Sequence, residues 1–160
     1  MTARRATLAC LASLLALAAP AAAAPGGPWA TVNVCDTAQF PDTIGIRGSM
    51  PGSGSAKDDL FMRIQVQYFD PVAIGWRFVG ASADSGFLDL GAGKAKRREG
   101  GQNFTIKAHK LAYVLRGYVT FEWRRDGDVV RRQRRLTKPG HPATPGADPA
   151  SFSAGTCTID

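Results

Sequence analysis

The longest run of alternating character in this chain of 160 residues lies at positions 113 to 125. Tyr113, Leu115, Gly117, Val119, Phe121 and Trp123 alternate there with Arg116, Thr120, Glu122 and Arg124. An apolar period of two is the signature of a strand that buries one face, because successive side chains leave a strand on opposite sides. The pattern recurs at Met62, Ile64, Val66 and Tyr68, interleaved with Arg63, Gln65 and Gln67. Shorter candidates cover 30–34, 43–48, 75–79, 87–90 and 104–108. Turn chemistry separates them: Pro51-Gly52-Ser53-Gly54, Asp70-Pro71, Asp126-Gly127 and a segment read as a glycine-bounded loop, Gly91 to Gly101. Past the N-terminus, no apolar spacing of helical period extends beyond a turn or two. Many short strands at even spacing predict an all-β fold, a single antiparallel β-sandwich.

Asp126-Gly127 predicts a hairpin joining 113–125 to 128–137, since Gly readily takes the positive φ of a two-residue turn. In a plain register Glu122 faces Arg131 and Trp123 faces Val130. The same register sets Arg132 and Arg134 on the face of Phe121 and Val119, where a core should be apolar. Either a bulge shifts the second strand or that face opens to solvent along an edge.

The N-terminus carries a different signal. Arg4 and Arg5 precede an apolar stretch at 8–19, then Pro20 and an alanine run ending at Ala24. This order of basic, apolar and small residues predicts a secretory signal peptide over 1–23, cut after the Ala21/Ala23 site, and a mature domain over 24–160. Cys10 falls inside the discarded part. Cys35 and Cys157 remain, and an even pair in an exported chain predicts a disulfide joining the first strand to the last. The net charge of +7 falls to +5 when Arg4 and Arg5 leave, with 18 basic against 13 acidic residues remaining.

Most of that excess sits on the hairpin. Arg124, Arg125, Arg131, Arg132, Arg134, Arg135 and Lys138 are opposed locally by Glu122, Asp126 and Asp128. Guanidinium forks match phosphate and carboxylate geometry, so the cluster is the candidate binding site, and an anionic polymer of the cell envelope is the partner its charge suits. The competing account is an edge strand guarded from aggregation by charge. Specific nucleic-acid recognition is not expected, because no recognition motif accompanies the charge. A second basic run, Lys94, Lys96, Arg97 and Arg98, is assigned to the loop and given no site. Trp29, Trp76, Trp123, Tyr68, Tyr118 and Phe78 could make a carbohydrate-stacking platform, but core packing is the expectation for large aromatics. Tyr118 stands apart in the polar alternation class.

Catalytic and metal signals are weak. Asp84-Ser85-Gly86 lacks the surroundings of a nucleophile elbow, and His109 and His141 are the only imidazoles. No catalytic residue, metal site or cofactor is assigned; two histidines cannot build a zinc site, and Asp36, Asp42, Asp58 and Asp59 lack calcium-loop spacing. The proline-rich segment 139–149 reads as a loop inside the domain, because Cys157 must return to the first strand.

Tyr113, two residues before an inward Leu115, resembles the tyrosine corner of immunoglobulin-like and fibronectin-III-like sandwiches. The resemblance implies the sandwich architecture over most of 29–158. Leu115 stands where an antibody domain has its second cysteine, and no tryptophan lies on the 61–69 strand. The chain as a whole, rich in Ala, Gly, Arg and Pro and ending in Ser151-Phe152-Ser153-Ala154-Gly155-Thr156-Cys157, also resembles small uncharacterised secreted proteins of high-GC actinobacteria. That likeness implies export and a single domain and carries no site residues. The expectation is a secreted, non-enzymatic module that binds an envelope or extracellular component or serves a structural role. A small secreted hydrolase is the alternative.

Overall fold

The computed structural model describes residues 26–107 and 112–160. The signal-peptide expectation for 1–23, Cys10 and His109 lie outside the described residues. Nine strands follow in order: β1 Trp29–Cys35, β2 Thr43–Pro51, β3 Asp58–Asp70, β4 Gly75–Phe78, β5 Asp84–Ala92, β6 Arg97–Thr105, β7 Tyr113–Arg125, β8 Asp128–Leu136 and β9 Cys157–Ile159. They form an antiparallel β-sandwich. One sheet has the order β1-β2-β6; the other runs β4-β3-β7-β8, with β5 also paired to β3 and β9 to β7. Among the described residues no helix is long and apolar enough to cross a membrane.

The two long alternating segments, β3 and β7, pair with each other along nearly their whole length, from Asp58 opposite Arg125 to Tyr68 opposite Leu115. Their apolar positions meet Val32, Ile44, Ile46 and Met50 of the smaller sheet, closing a core that includes Met62, Ile64, Val119, Phe121 and Trp123. Gly117 interrupts the apolar series because a side chain has no room there. A Cβ at that position would lie 2.6 Å from Thr137 Cγ2 and 2.9 Å from Ile46 Cδ1.

The segment 91–101 is not a loop. β5 continues to Ala92, only residues 93–96 turn, and Arg97 and Arg98 already belong to β6. All nine residues of β2 pair with β6, so β6 supplies the partner that β2 needs. Gly100 and Gly101 mark close approach: Cβ atoms there would lie 2.7 Å from Leu90 Cδ2 and 2.5 Å from Arg47 Cδ. Glycines that read as loop punctuation here sit inside a strand.

The hairpin forms at Asp126-Gly127, with both residues at positive φ, and its register departs from the plain one. Arg124 pairs with Val129, but Trp123 pairs with Arg131 and Glu122 with Arg132, so Val130 is the extra residue of a bulge. Beyond the bulge Gln133 faces Phe121 and Arg135 faces Val119. These positions remain polar because β8 is an edge, exposed at every residue but the half-buried Gln133. Bulge and open edge therefore both occur.

Cys35 and Cys157 form a disulfide with Cα atoms 5.4 Å apart, tying β1 of one sheet to β9 of the other. The 139–149 segment lies along β1. Asp148 N–H donates to the Asn33 carbonyl at 2.9 Å, and the Asn33 side-chain amide donates to the Gly146 carbonyl at 2.9 Å.

Candidate functional site

The positions of β3 and β7 that point away from the core form a second, outward face on the six-stranded sheet. One end of it is a network of arginines, carboxylates and rings. Glu122, fully buried, accepts from Arg124 Nε at 2.8 Å and Nη2 at 2.6 Å on one oxygen, and from Arg132 Nε at 2.6 Å on the other. A buried carboxylate needs such partners to offset its lost hydration. The Arg124 guanidinium lies 4.2 Å from the Phe61 ring centre and 4.5 Å from that of Phe87, so aromatic faces share the same charge. Beside it Arg63 donates to Asp84, which also receives Gln65 Nε2 at 3.1 Å. Arg63 is the largest cause holding the Asp84 carboxyl below its ordinary range, with the Gly86 N–H adding to it and burial opposing it. Ser85 adds a backbone role: where β3 and β5 slip register, its hydroxyl accepts the Ile64 N–H at 2.8 Å and donates to the Gly86 carbonyl at 2.7 Å.

The other end is aromatic. Arg116 lies 4.0 Å over the Trp76 ring and donates to Gln67 Oε1 at 2.9 Å. Trp76 meets Phe69 edge-on, and Phe78 meets Tyr118 edge-on with centroids 5.5 Å apart in each pair. Phe78 is 48% exposed, and Leu136, opposite Tyr118, is 37% exposed. Arg134 lies opposite Thr120 in the next row of the same face, and its side chain has no partner among the described residues.

The six hairpin arginines named from the sequence do not converge. Arg124, Arg132 and Arg134 lie on the outward face. Arg125 pairs with Asp58 at 2.7 Å. Arg131 and Arg135 fall on the opposite side of β8, where Arg131 covers the Trp123 ring at 4.4 Å and Arg135 Nε donates to the Pro28 carbonyl at 3.0 Å. The aromatics also divide. Trp123 is core, with its Nε1–H donating to the Pro51 carbonyl at 3.0 Å. Tyr68 packs on Tyr113, and Trp29 stacks on His141 at 4.0 Å. Trp76, Phe78 and Tyr118 share the outward face, against the expectation of core packing.

Phe61, Phe87, Arg63 and Arg116 were not singled out in the sequence. Phe61, Arg63 and Arg116 occupy off-core alternation positions and could have been read as one face. Phe87 could not, since its place depends on β5 pairing with β3. Among the described residues no group of three His, Cys, Asp or Glu side chains is placed to hold a metal ion. No protein-family model matches the chain, and no curated protein matches it either.

Proposed function

We propose that this chain is an exported, non-enzymatic, immunoglobulin-like binding module whose outward six-stranded face takes an acidic glycan of the cell envelope. The signal-like N-terminus and the Cys35–Cys157 bridge support export. The arrangement of β1-β2-β6 against β4-β3-β7-β8 supports the immunoglobulin-like reading.

One observation carries the functional reading: Trp76, Phe78 and Tyr118 share one face of the sheet with Arg134, whose side chain has no partner among the described residues. Sugar rings pack on aromatic faces, and a guanidinium fork takes the acidic group. Most of the other hairpin arginines are engaged within the protein, so the partner is read by a surface of rings with Arg134 rather than by a basic ribbon.

Retention of the purified protein on immobilised polygalacturonate tests this. Binding is expected to weaken with salt, to fall about tenfold or more in Phe78→Ala and Arg134→Ala, and to persist in a double Arg131→Ala, Arg135→Ala variant. Unchanged retention in Phe78→Ala and Arg134→Ala, or equal loss in the double variant, overturns the assignment to this face.

A further inference from the structure

The connection between β3 and β4 breaks the pattern of polar loops. The last rung of that pair sets Asp70 opposite Gly75, so Pro71, Val72, Ala73 and Ile74 make the turn. All four are apolar, and all four are exposed. Val72 is 92% and Ile74 81% exposed, while no other large apolar side chain among the described residues exceeds 52%. A run of four exposed apolar residues works against solubility, and its presence points to contact with something outside the chain.

The backbone holds these side chains outward. Ile74 has a φ of 50°, a left-handed conformation that a β-branched residue adopts only under constraint and that Asn or Gly takes readily. Asp70 helps to supply the constraint. Its Oδ1 accepts the Val72 N–H at 2.9 Å and the Ala73 N–H at 3.0 Å, and Arg77 Nε donates to its Oδ2 at 2.7 Å. Two N–H groups of the turn are thus bonded and its carboxylate is matched by a cation, which lowers the penalty for leaving water. One rung behind the turn, half-buried Trp76 lies opposite Phe69 and has the Arg116 guanidinium 4.0 Å over its ring. No carboxylate pairs with Arg116 among the described residues.

We propose that this turn inserts into the surface of an anionic lipid bilayer. Val72 and Ile74 enter the boundary between headgroups and acyl chains, Trp76 sits at headgroup level, and Arg116 meets the lipid phosphates. A bilayer suits the turn better than a protein partner does, because it needs no matching pocket. A stable protein interface takes about 20–30 residues a side, and the apolar turn supplies four. Arg77 and Arg116 against Asp70 leave a local positive excess, which favours an anionic over a zwitterionic surface. The proposal stands on Val72 and Ile74, which the glycan reading of the outward face does not use.

The test is flotation of the mature chain, residues 24–160, which contains every described residue, with vesicles of phosphatidylglycerol and phosphatidylcholine. Binding is expected to rise with lipid concentration and to be about fivefold weaker on phosphatidylcholine alone. Val72→Asn and Ile74→Asn are each expected to weaken it about tenfold. Asn suits the backbone at position 74, so Ile74→Asn should resist urea at least as well as the parent while losing the vesicles; Val72→Asn gives a second reading at a position with few contacts to lose. No flotation with the anionic vesicles, or folded Asn variants that float like the parent, overturns the proposal. Self-association of the parent without lipid, abolished by Val72→Asn, overturns it too by assigning the turn to a second copy of the chain. Both Asn variants are expected to keep their retention on polygalacturonate, so failure here and failure on the outward face are separable.

Discussion

Arg132 donates from Nε to Glu122 Oε1 at 2.6 Å across the β7–β8 pair, one residue further along than an unbulged hairpin would set it. The extra residue, Val130, is what delivers a cation to a carboxylate that has no access to water. Arg124 completes the clamp from the same strand. Charges that look like an open basic ribbon in the sequence thus serve in part to cover a buried acid.

Removing the acid is expected to cost much more than removing either base. Glu122→Ala leaves two guanidinium groups facing a desolvated pocket and should lower stability by about 3–5 kcal/mol. Arg132 is about half exposed, and Arg132→Ala should cost only about 1 kcal/mol. Urea denaturation of the two variants checks the ratio; equal losses would contradict a buried, clamped carboxylate.

Acid should unfold the protein partly through Asp84. Its folded pKa is depressed, chiefly by Arg63, so the folded state binds fewer protons than the unfolded chain near the ordinary value. The stability this gives is present above about pH 4 and is lost as the pH falls through the folded value. Asp58, depressed chiefly by Arg125, and Asp70, chiefly by the Ala73 N–H, act with the same sign. Urea midpoints measured at pH 6 and pH 3 should differ less in Asp84→Asn than in the parent, and an identical drop would count against Asp84.

His141 works in a higher window. Burial, reinforced by Arg97 and opposed by Glu99, lowers its pKa from 6.5. The neutral ring on Trp29 is therefore the folded form, and its contribution, complete above about pH 6.5, is lost as the pH falls towards and through the folded value. His141→Phe keeps a ring to stack on Trp29 and should flatten thermal stability between pH 7 and pH 5. A slope of the same size in the variant would locate the titration elsewhere.

Reduction of the Cys35–Cys157 bridge, which spans 122 positions, should destabilise the domain by about 5 kcal/mol on the chain-entropy account. Comparing urea midpoints with and without reductant measures this directly. A shift under about 1 kcal/mol would mean that the unfolded chain is already held compact by other contacts.

The sandwich was legible because β3 and β7 announce themselves through strict alternation of side chains such as Ile64 and Val119, and the bridge because, with Cys10 assigned to the expected signal segment, Cys35 and Cys157 were the pair left. What stayed hidden depends on pairing. Gly100 and Gly101 look like a loop until β2 is laid against them, and the bulge at Val130 has no local signature beyond the misfit it resolves. The outward face escaped for a related reason. Its aromatics come from β3, β4, β5 and β7, so no single window of sequence contains the patch. Tyr118 alone hinted at it, by standing in a polar row.

The bridge between β1 and β9 also decides how the domain answers to force. Tension entering before Cys35 and leaving after Cys157 passes through a covalent bond and bypasses the 121 residues between them. Stretching such a chain loads the flanks, β1 up to Cys35 and the end of β9, while β2 to β8 lie inside the covalent loop and keep their pairing under a load that would peel apart a reduced domain. With the bridge intact, the outward face built on β3, β4, β5 and β7 lies wholly within the covalent loop and is spared that pull.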